Sequence, residues 1–212
     1  MDQQKKSSWL SRATVPLLVA LFVAPMVAAW IVYNYFPDVV RSFGTTNYGE
    51  FVMPPVEVKL PAMNDVEGNT ITSEIFDKNW TYVYLANGDC LDTCLEYLML
   101  IKNVRLTQGK EISRLKRLFI VSGKINDQLR SKLSEFPGMT TLEIMDVNTA
   151  KQLFASFKLD EQMDPLKAGN VYVVDPDSKL MMYYKPDQEI LKLGKGMQKD
   201  MSKLMFNSVL RK

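Results

Sequence analysis

Hydrophobic positions along this chain follow two regimes. From Ala13 to Pro37 the sequence reads ATVPLLVALFVAPMVAAWIVYNYFP, without one Asp, Glu, Lys or Arg. A hydrocarbon layer about 30 Å thick takes roughly 20 apolar residues of helix, so the run predicts a single transmembrane helix over 13–37. Trp30, Tyr33 and Tyr35 fall toward its far end, where amphipathic rings favour the membrane–water interface. Pro25 is internal and predicts a kink. Val27-Ala28-Ala29 resembles a small-residue cleavage site. The apolar run continues through Trp30, Ile31 and Val32, longer than a signal core, so an anchor is the preferred reading.

Beyond the run the pattern turns to short alternating segments separated by turn residues. Residues 38–55, with Gly44, Gly49 and Pro54-Pro55, read as a linker, and Val56–Leu60 as a first strand. WTYVYL at Trp80–Leu85 and RLFIVS at Arg117–Ser122 are rich in aromatic and β-branched residues and predict two buried central strands. A helix follows the first of these after Asn87-Gly88-Asp89. Another is predicted over Asn126–Glu135, ended by Pro137-Gly138. Leu142–Met145 reads as a short strand, and Asn148 as the cap of a helix to Phe157. Val171–Val174 and Leu180–Tyr184 flank Pro176-Asp177-Ser178 and predict a hairpin. From Asp187 the chain reads as a closing helix weakened at Gly194 and Gly196. Strand–helix–strand, second helix, hairpin and final helix make an α/β mixed sheet flanked by helices, the element order of a thioredoxin-like fold.

Charge orients the anchor. Lys5, Lys6 and Arg12 precede the apolar run against Asp2, while Arg41 follows it. The positive-inside rule leaves residues 1–12 in the cytoplasm and sends the rest across the membrane. The net charge of +2 is not gathered into a basic face of the kind that binds nucleic acid. The chain has no histidine. That removes Ser-His and Cys-His catalytic pairs, imidazole metal ligands and a His general base.

The remaining chemistry concentrates on the two cysteines, Cys90 and Cys94, in GDCLDTCLEYLMLI. They stand where a strand ends and a helix begins. Leu91, Cys94, Leu95, Leu98 and Ile101 recur at helical spacing as its core-facing stripe. Cys90 is expected in the exposed first turn, with Cys94 one turn inward on the same side. Backbone N–H groups at a helix N-terminus favour a thiolate, although Asp89 and Asp92 oppose it. The pair reads as an entry nucleophile, Cys90, and a resolving thiol, Cys94. Two thiolates are also soft ligands suited to Cu(I). A static disulfide closing so short a loop would add little entropic stabilisation. Met197, Met201 and Met205 recur every four residues and read as the apolar face of the last helix rather than as metal ligands.

An N-terminal anchor, WTYVYLANGDCLDTCLEYL, RLFIVS, NVYVVDPDSKLMMYY and a closing helix together resemble the Sco/SenC proteins over residues 51–205. These are membrane-anchored, thioredoxin-fold proteins that help assemble the copper centre of cytochrome c oxidase. The resemblance implies an anchor over 13–37, a thioredoxin-like domain over 56–212 and a place on the inner membrane with that domain in the periplasm. It also implies a partner that is an oxidase subunit or a copper chaperone. The family's copper site uses both cysteines and a histidine five residues before the tyrosine of a YLVDP-like strand. Here Lys167 stands at that place, and Leu91 and Leu95 replace prolines that usually follow the two cysteines. The expected role is therefore thiol–disulfide exchange by Cys90 and Cys94 in oxidase assembly. Cu(I) held by the same two cysteines, or a non-enzymatic scaffold, are the alternatives.

Overall fold

The computed structural model describes residues 3–36, 47–186 and 189–209, in two compact units, Met1–Thr46 and Asn47–Lys212. The first contains α1 (Gln3–Tyr35), which runs through both Pro16 and Pro25. Its stretch Pro16–Tyr35 is long and apolar enough to cross a membrane. No charged side chain interrupts this stretch. The helix starts ten residues before the apolar run, so the expected start at Ala13 marks a change of composition and not of backbone.

The second unit is built on six strands: β1 (Glu50–Glu57), β4 (Trp80–Asn87), β5 (Leu115–Ser122), β6 (Thr140–Ile144), β7 (Val171–Val174) and β8 (Lys179–Tyr184). Their spatial order is β1-β8-β7-β4-β5-β6. The pairs β4–β5 and β5–β6 are parallel, whereas β4–β7, β7–β8 and β1–β8 are antiparallel. Two-residue strands β2 (Met63–Asn64) and β3 (Thr70–Ile71) make a small separate ladder. The α-helices of this unit are α2 (Asp92–Leu106), α3 (Asp127–Leu133), α4 (Val147–Ala155) and α5 (Ile190–Val209). This is the α/β thioredoxin-like architecture that the element order predicts.

Alternation along the central strands divides the core between the two faces. Tyr82, Tyr84 and Ala86 of β4 pack with Phe119 and Val121 of β5 under α2, α3 and α5. Val83 and Leu85 point the other way, joining Leu118, Ile120 and Leu142 with Phe154 of α4. Seven of the eight residues of β4 are buried, as expected of a strand covered on both faces.

Several boundaries differ from the sequence reading. The strand expected at Val56–Leu60 is Glu50–Glu57, because residues on its mostly exposed edge are held by pairing with β8 rather than by burial. Residues 50–55, expected in the linker, are thus part of the sheet. Helix α3 ends at Leu133 and α4 at Ala155. Asp146, not Asn148, caps α4, its carboxylate accepting from Thr149 N–H at 2.7 Å. Gly194 and Gly196 do not interrupt α5. A Cβ on Gly194 would lie 2.8 Å from Leu100 Cδ1, and one on Gly196 2.3 Å from Tyr48 Cγ. Both positions are therefore contacts where a neighbouring side chain reaches the helix backbone. Met197, Met201 and Met205 are buried in the core, as the apolar-face reading expects.

Candidate functional site

Parallel pairing of β4, β5 and β6 sets their carboxyl ends side by side, with Asn87 opposite Ser122 and Ser122 opposite Ile144. In open α/β sheets this edge is where loops gather chemistry. The loop leaving β4 carries both cysteines. It turns sharply, Cys90 N–H donating to Asn87 O at 3.2 Å.

Two anchors hold that loop. Asn126 reaches across from the start of α3, and both its backbone N–H and its side-chain amide donate to Gly88 O at 3.0 Å. The same Asn126 side chain caps α3 by accepting from Leu129 N–H at 2.7 Å. Gly88 itself lies against the backbone of Lys124, and a Cβ there would stand 1.9 Å from Lys124 O. Gly123, at φ +86°, makes the turn that brings this backbone over; such a conformation is one glycine adopts without a Cβ penalty. Glu143 completes the support, one oxygen accepting from Ile125 N–H at 2.7 Å and from Arg130 Nη2 at 2.5 Å. The pair Gly123-Lys124 and the residue Asn126 gave no chemical signal in the sequence. Their part is positional and depends on the approach of two loops.

Cys90 and Cys94 are joined in a disulfide, with Cα atoms 5.8 Å apart. Cys94 is fully buried, whereas Cys90 is half-buried. Helix α2 begins at Asp92, so Cys90 lies just ahead of the helix rather than within its first turn. Leu91 occupies the N-cap and makes no side-chain capping bond, unlike Asn126 and Asp146 at α3 and α4. Among the described residues the N-cap of α2 thus supplies no side-chain acceptor to the first-turn N–H groups beside Cys90, an arrangement that favours negative charge there. Asp89 and Asp92, both exposed, act in the opposite sense.

Beneath the disulfide, α2 is bound by aromatic packing. Tyr97, one turn beyond Cys94, stacks on Tyr84 with ring centres 5.5 Å apart, and Tyr84 stacks on Phe119 at 6.1 Å. Tyr97 Oη donates to Pro186 O at 3.0 Å, tying the helix to the chain that follows β8. Burial, with Tyr97 and Glu96 adding, pushes the Tyr84 phenol up to about 12. The expected stripe is seen in Cys94, Leu98 and Ile101, all buried, with Leu91 and Leu95 only partly covered.

Lys167, at the place of the family's histidine, has a side chain 81% exposed, with Nζ 3.9 Å from Asp164 Oδ2. Among the described residues no group of three or more His, Cys, Asp or Glu side chains converges on a metal-sized site.

Residues 80–208 match the model of the family described as transmembrane-like, thioredoxin-like, C-terminal domain. The chain belongs to this family. No curated protein matches the sequence. Among solved structures, the fold is similar to the apo Sco1 protein of Thermus thermophilus, at 16% identity and TM-score 0.57, over 75% of this chain and 97% of that one. Arabidopsis thaliana ScoI with copper bound is similar at 17% identity and TM-score 0.52, over 74% and 99%. Yeast Sco1 with copper bound is similar at 18% and 0.51, over 76% and 95%. These likenesses show a thioredoxin-like fold shared with Sco proteins.

Proposed function

We propose that this protein is a membrane-anchored thiol–disulfide exchange factor that acts on cysteines of a partner during cytochrome c oxidase assembly. The observation that carries the thiol chemistry is the Cys90–Cys94 disulfide, its outer sulfur half-buried and its inner sulfur buried at the uncapped head of α2. The oxidase pathway rests on the resemblance to Sco proteins in fold and motif order. Lys5, Lys6 and Arg12, ahead of the apolar run of α1, support an orientation with residues 47–212 outside the cytoplasm, and a disulfide persists in such a compartment.

In the reduced protein, Cys90 thiolate attacks one sulfur of a partner disulfide. A mixed disulfide forms, and the other partner sulfur leaves as thiolate. Cys94, deprotonated, then attacks the Cys90 sulfur, restoring the intramolecular disulfide and releasing the second partner thiolate. Two electrons pass to the partner, and an external dithiol reductant of the same compartment must return the pair to the reduced state.

A second reading, favoured by the two soft sulfurs, is carriage of Cu(I) as cargo. The sulfurs can ligate only after the disulfide is reduced, and Lys167 offers no third soft ligand.

The test is a redox titration of the full chain in detergent, in glutathione buffers, with thiol trapping of Cys90 and Cys94. A reversible two-electron transition between roughly −120 and −270 mV is expected. A disulfide that resists reduction throughout that range would exclude exchange. Retention of oxidase assembly by Cys90→Ser would favour a scaffold role instead.

A further inference from the structure

The first residues of the C-terminal unit lie against helix α5. These residues, Asn47 to Gly49, are held there by a buried carboxylate. Tyr48 N–H and Gly49 N–H both donate to Asp200 Oδ2 at 2.9 Å. The Tyr48 ring lies on Gly196, and Lys199 Nζ stands 5.7 Å from its centre. Asp200 is 1% exposed and is the sole acid in the sequence of α5.

The opposite face of this helix has a different character. Lys192, Lys195, Lys199 and Lys203 recur at i, i+3, i+7 and i+11, a spacing that places them on one side, and all four are exposed. Phe206 shares that side and is 67% exposed. Leu193, Met197, Met201 and Met205 occupy the buried side. Glu96 lies across a groove from Lys195, and Glu50 at the entry point is paired with Lys185 at 2.6 Å. Among the described residues of α5 itself, the outer face therefore carries four lysines and one large ring, and the helix's one acid, Asp200, is buried.

Covalent reach supplies the second argument. Residues 37–47 join the end of the apolar helix α1 to Tyr48. At about 3.5 Å per residue such a segment spans at most roughly 40 Å. A face bearing lysines and an exposed aromatic ring, on the helix against which that tether ends, matches the composition of interfacial helices on anionic lipid.

We propose that the outer face of α5 docks on the headgroups of an anionic phospholipid bilayer, the one that α1 crosses, with Phe206 entering the interface. The inference rests on α1 as a membrane anchor and is independent of the thiol chemistry.

The test places a benzophenone amino acid at Phe206 in the full chain, reconstituted in proteoliposomes of phosphatidylcholine alone or mixed equally with phosphatidylglycerol. Illumination is expected to attach phospholipid at least about fivefold more in the mixed vesicles. The difference should vanish in 1 M salt, where the Debye length falls to about 3 Å, and in Lys192→Glu/Lys195→Glu, two exposed positions outside the Tyr48 contact. The same probe at Met145, exposed beyond β6, should show no lipid dependence. Equal labelling in both vesicle types, indifference to the two substitutions, or crosslinking to a second copy of the chain in place of lipid would each overturn the proposal. Failure of the chain to enter vesicles at all would overturn the anchor reading and this inference with it. Loss of glutathione-dependent redox cycling with lipid labelling intact would remove only the thiol function.

Discussion

Gly88 lies against Lys124 with no room for a side chain: a Cβ on Gly88 would stand 1.9 Å from the Lys124 carbonyl oxygen. This contact joins the loop that carries the disulfide to the loop entering α3, and Asn126 fastens it through two bonds to Gly88 O. The site is thus positioned by backbone approach, with the cysteines at the end of a clamped loop.

Gly88→Ala should force the two loops apart. Overpacking of this kind costs about 1–3 kcal/mol, and the two Asn126 bonds share the displaced carbonyl. Denaturant unfolding should show the loss in midpoint. Reduction of the disulfide, followed by thiol trapping, should become faster as Cys94 loses its cover. An unchanged midpoint and rate would mean that the loops are not coupled.

In the proposed exchange reaction, the difference in burial between Cys90 and Cys94 assigns them different roles. Cys94→Ser leaves the half-buried Cys90 able to form a mixed disulfide with nothing to resolve it, so adducts with partner cysteines should accumulate on non-reducing gels. Cys90→Ser leaves only the fully buried sulfur, and trapping should fall at least about tenfold. Equal trapping by the two variants would reverse the assignment.

Asp200 is expected to be a large single contributor to stability. Its carboxylate accepts two backbone N–H bonds and lies 3.3 Å from Tyr184 Oη. Hydrogen bonds to a charged group contribute roughly 1.5–3 kcal/mol each, and orphaned donors add a penalty. Asp200→Ala should therefore destabilise the domain by at least about 3 kcal/mol in denaturant unfolding, and Asp200→Asn by less, since an oxygen acceptor remains.

Buried phenols predict alkaline unfolding. Burial pushes Tyr84 and Tyr172 up to about 12, and Tyr82 and Tyr184 higher still, with the Asp200 charge adding to the last two. A phenol with a raised folded pKa binds its proton more tightly in the native state. Its contribution is complete below pH 10 and is lost as pH rises toward 12 and beyond. For Tyr84 and Tyr172 that is on the order of 2–3 kcal/mol each. Arg117, held down to about 10 by burial and then by Arg105, acts in the opposite sense between about 10 and 12.5, but it is one group against four. Unfolding above pH 10, followed by circular dichroism and phenolate absorbance together, should be steep, and Tyr84→Phe should make it shallower. Phenolate formation well ahead of unfolding would contradict this.

Some of this was written in local pattern. The uncharged run appears as a helix because its composition is uniform over more than five turns, and no distant contact is needed to recognise it. Strands β4 and β5 and the β7–β8 hairpin were legible because each residue of a central strand meets an apolar layer, leaving a dense β-branched and aromatic signature. The spacing of Cys90 and Cys94 placed them one turn apart, and the disulfide follows from that proximity.

Other features depend on partners far along the chain. Strand β1 has a mostly exposed pattern and exists through pairing with β8, more than 120 residues later. Gly194 and Gly196 read as weak points of the closing helix, yet Leu100 and Tyr48 require their missing side chains. Asp200 gave no signal in the sequence, because the N–H groups it accepts from belong to Tyr48 and Gly49, about 150 residues earlier. Composition and periodicity by themselves determined the long apolar helix, the central strands and the candidate chemistry, because those signals lie within a few residues of one another. Only tertiary structure decided what clamps the cysteine loop, what holds β1 in the sheet and what covers Asp200, because these follow from close packing between segments that the sequence keeps far apart.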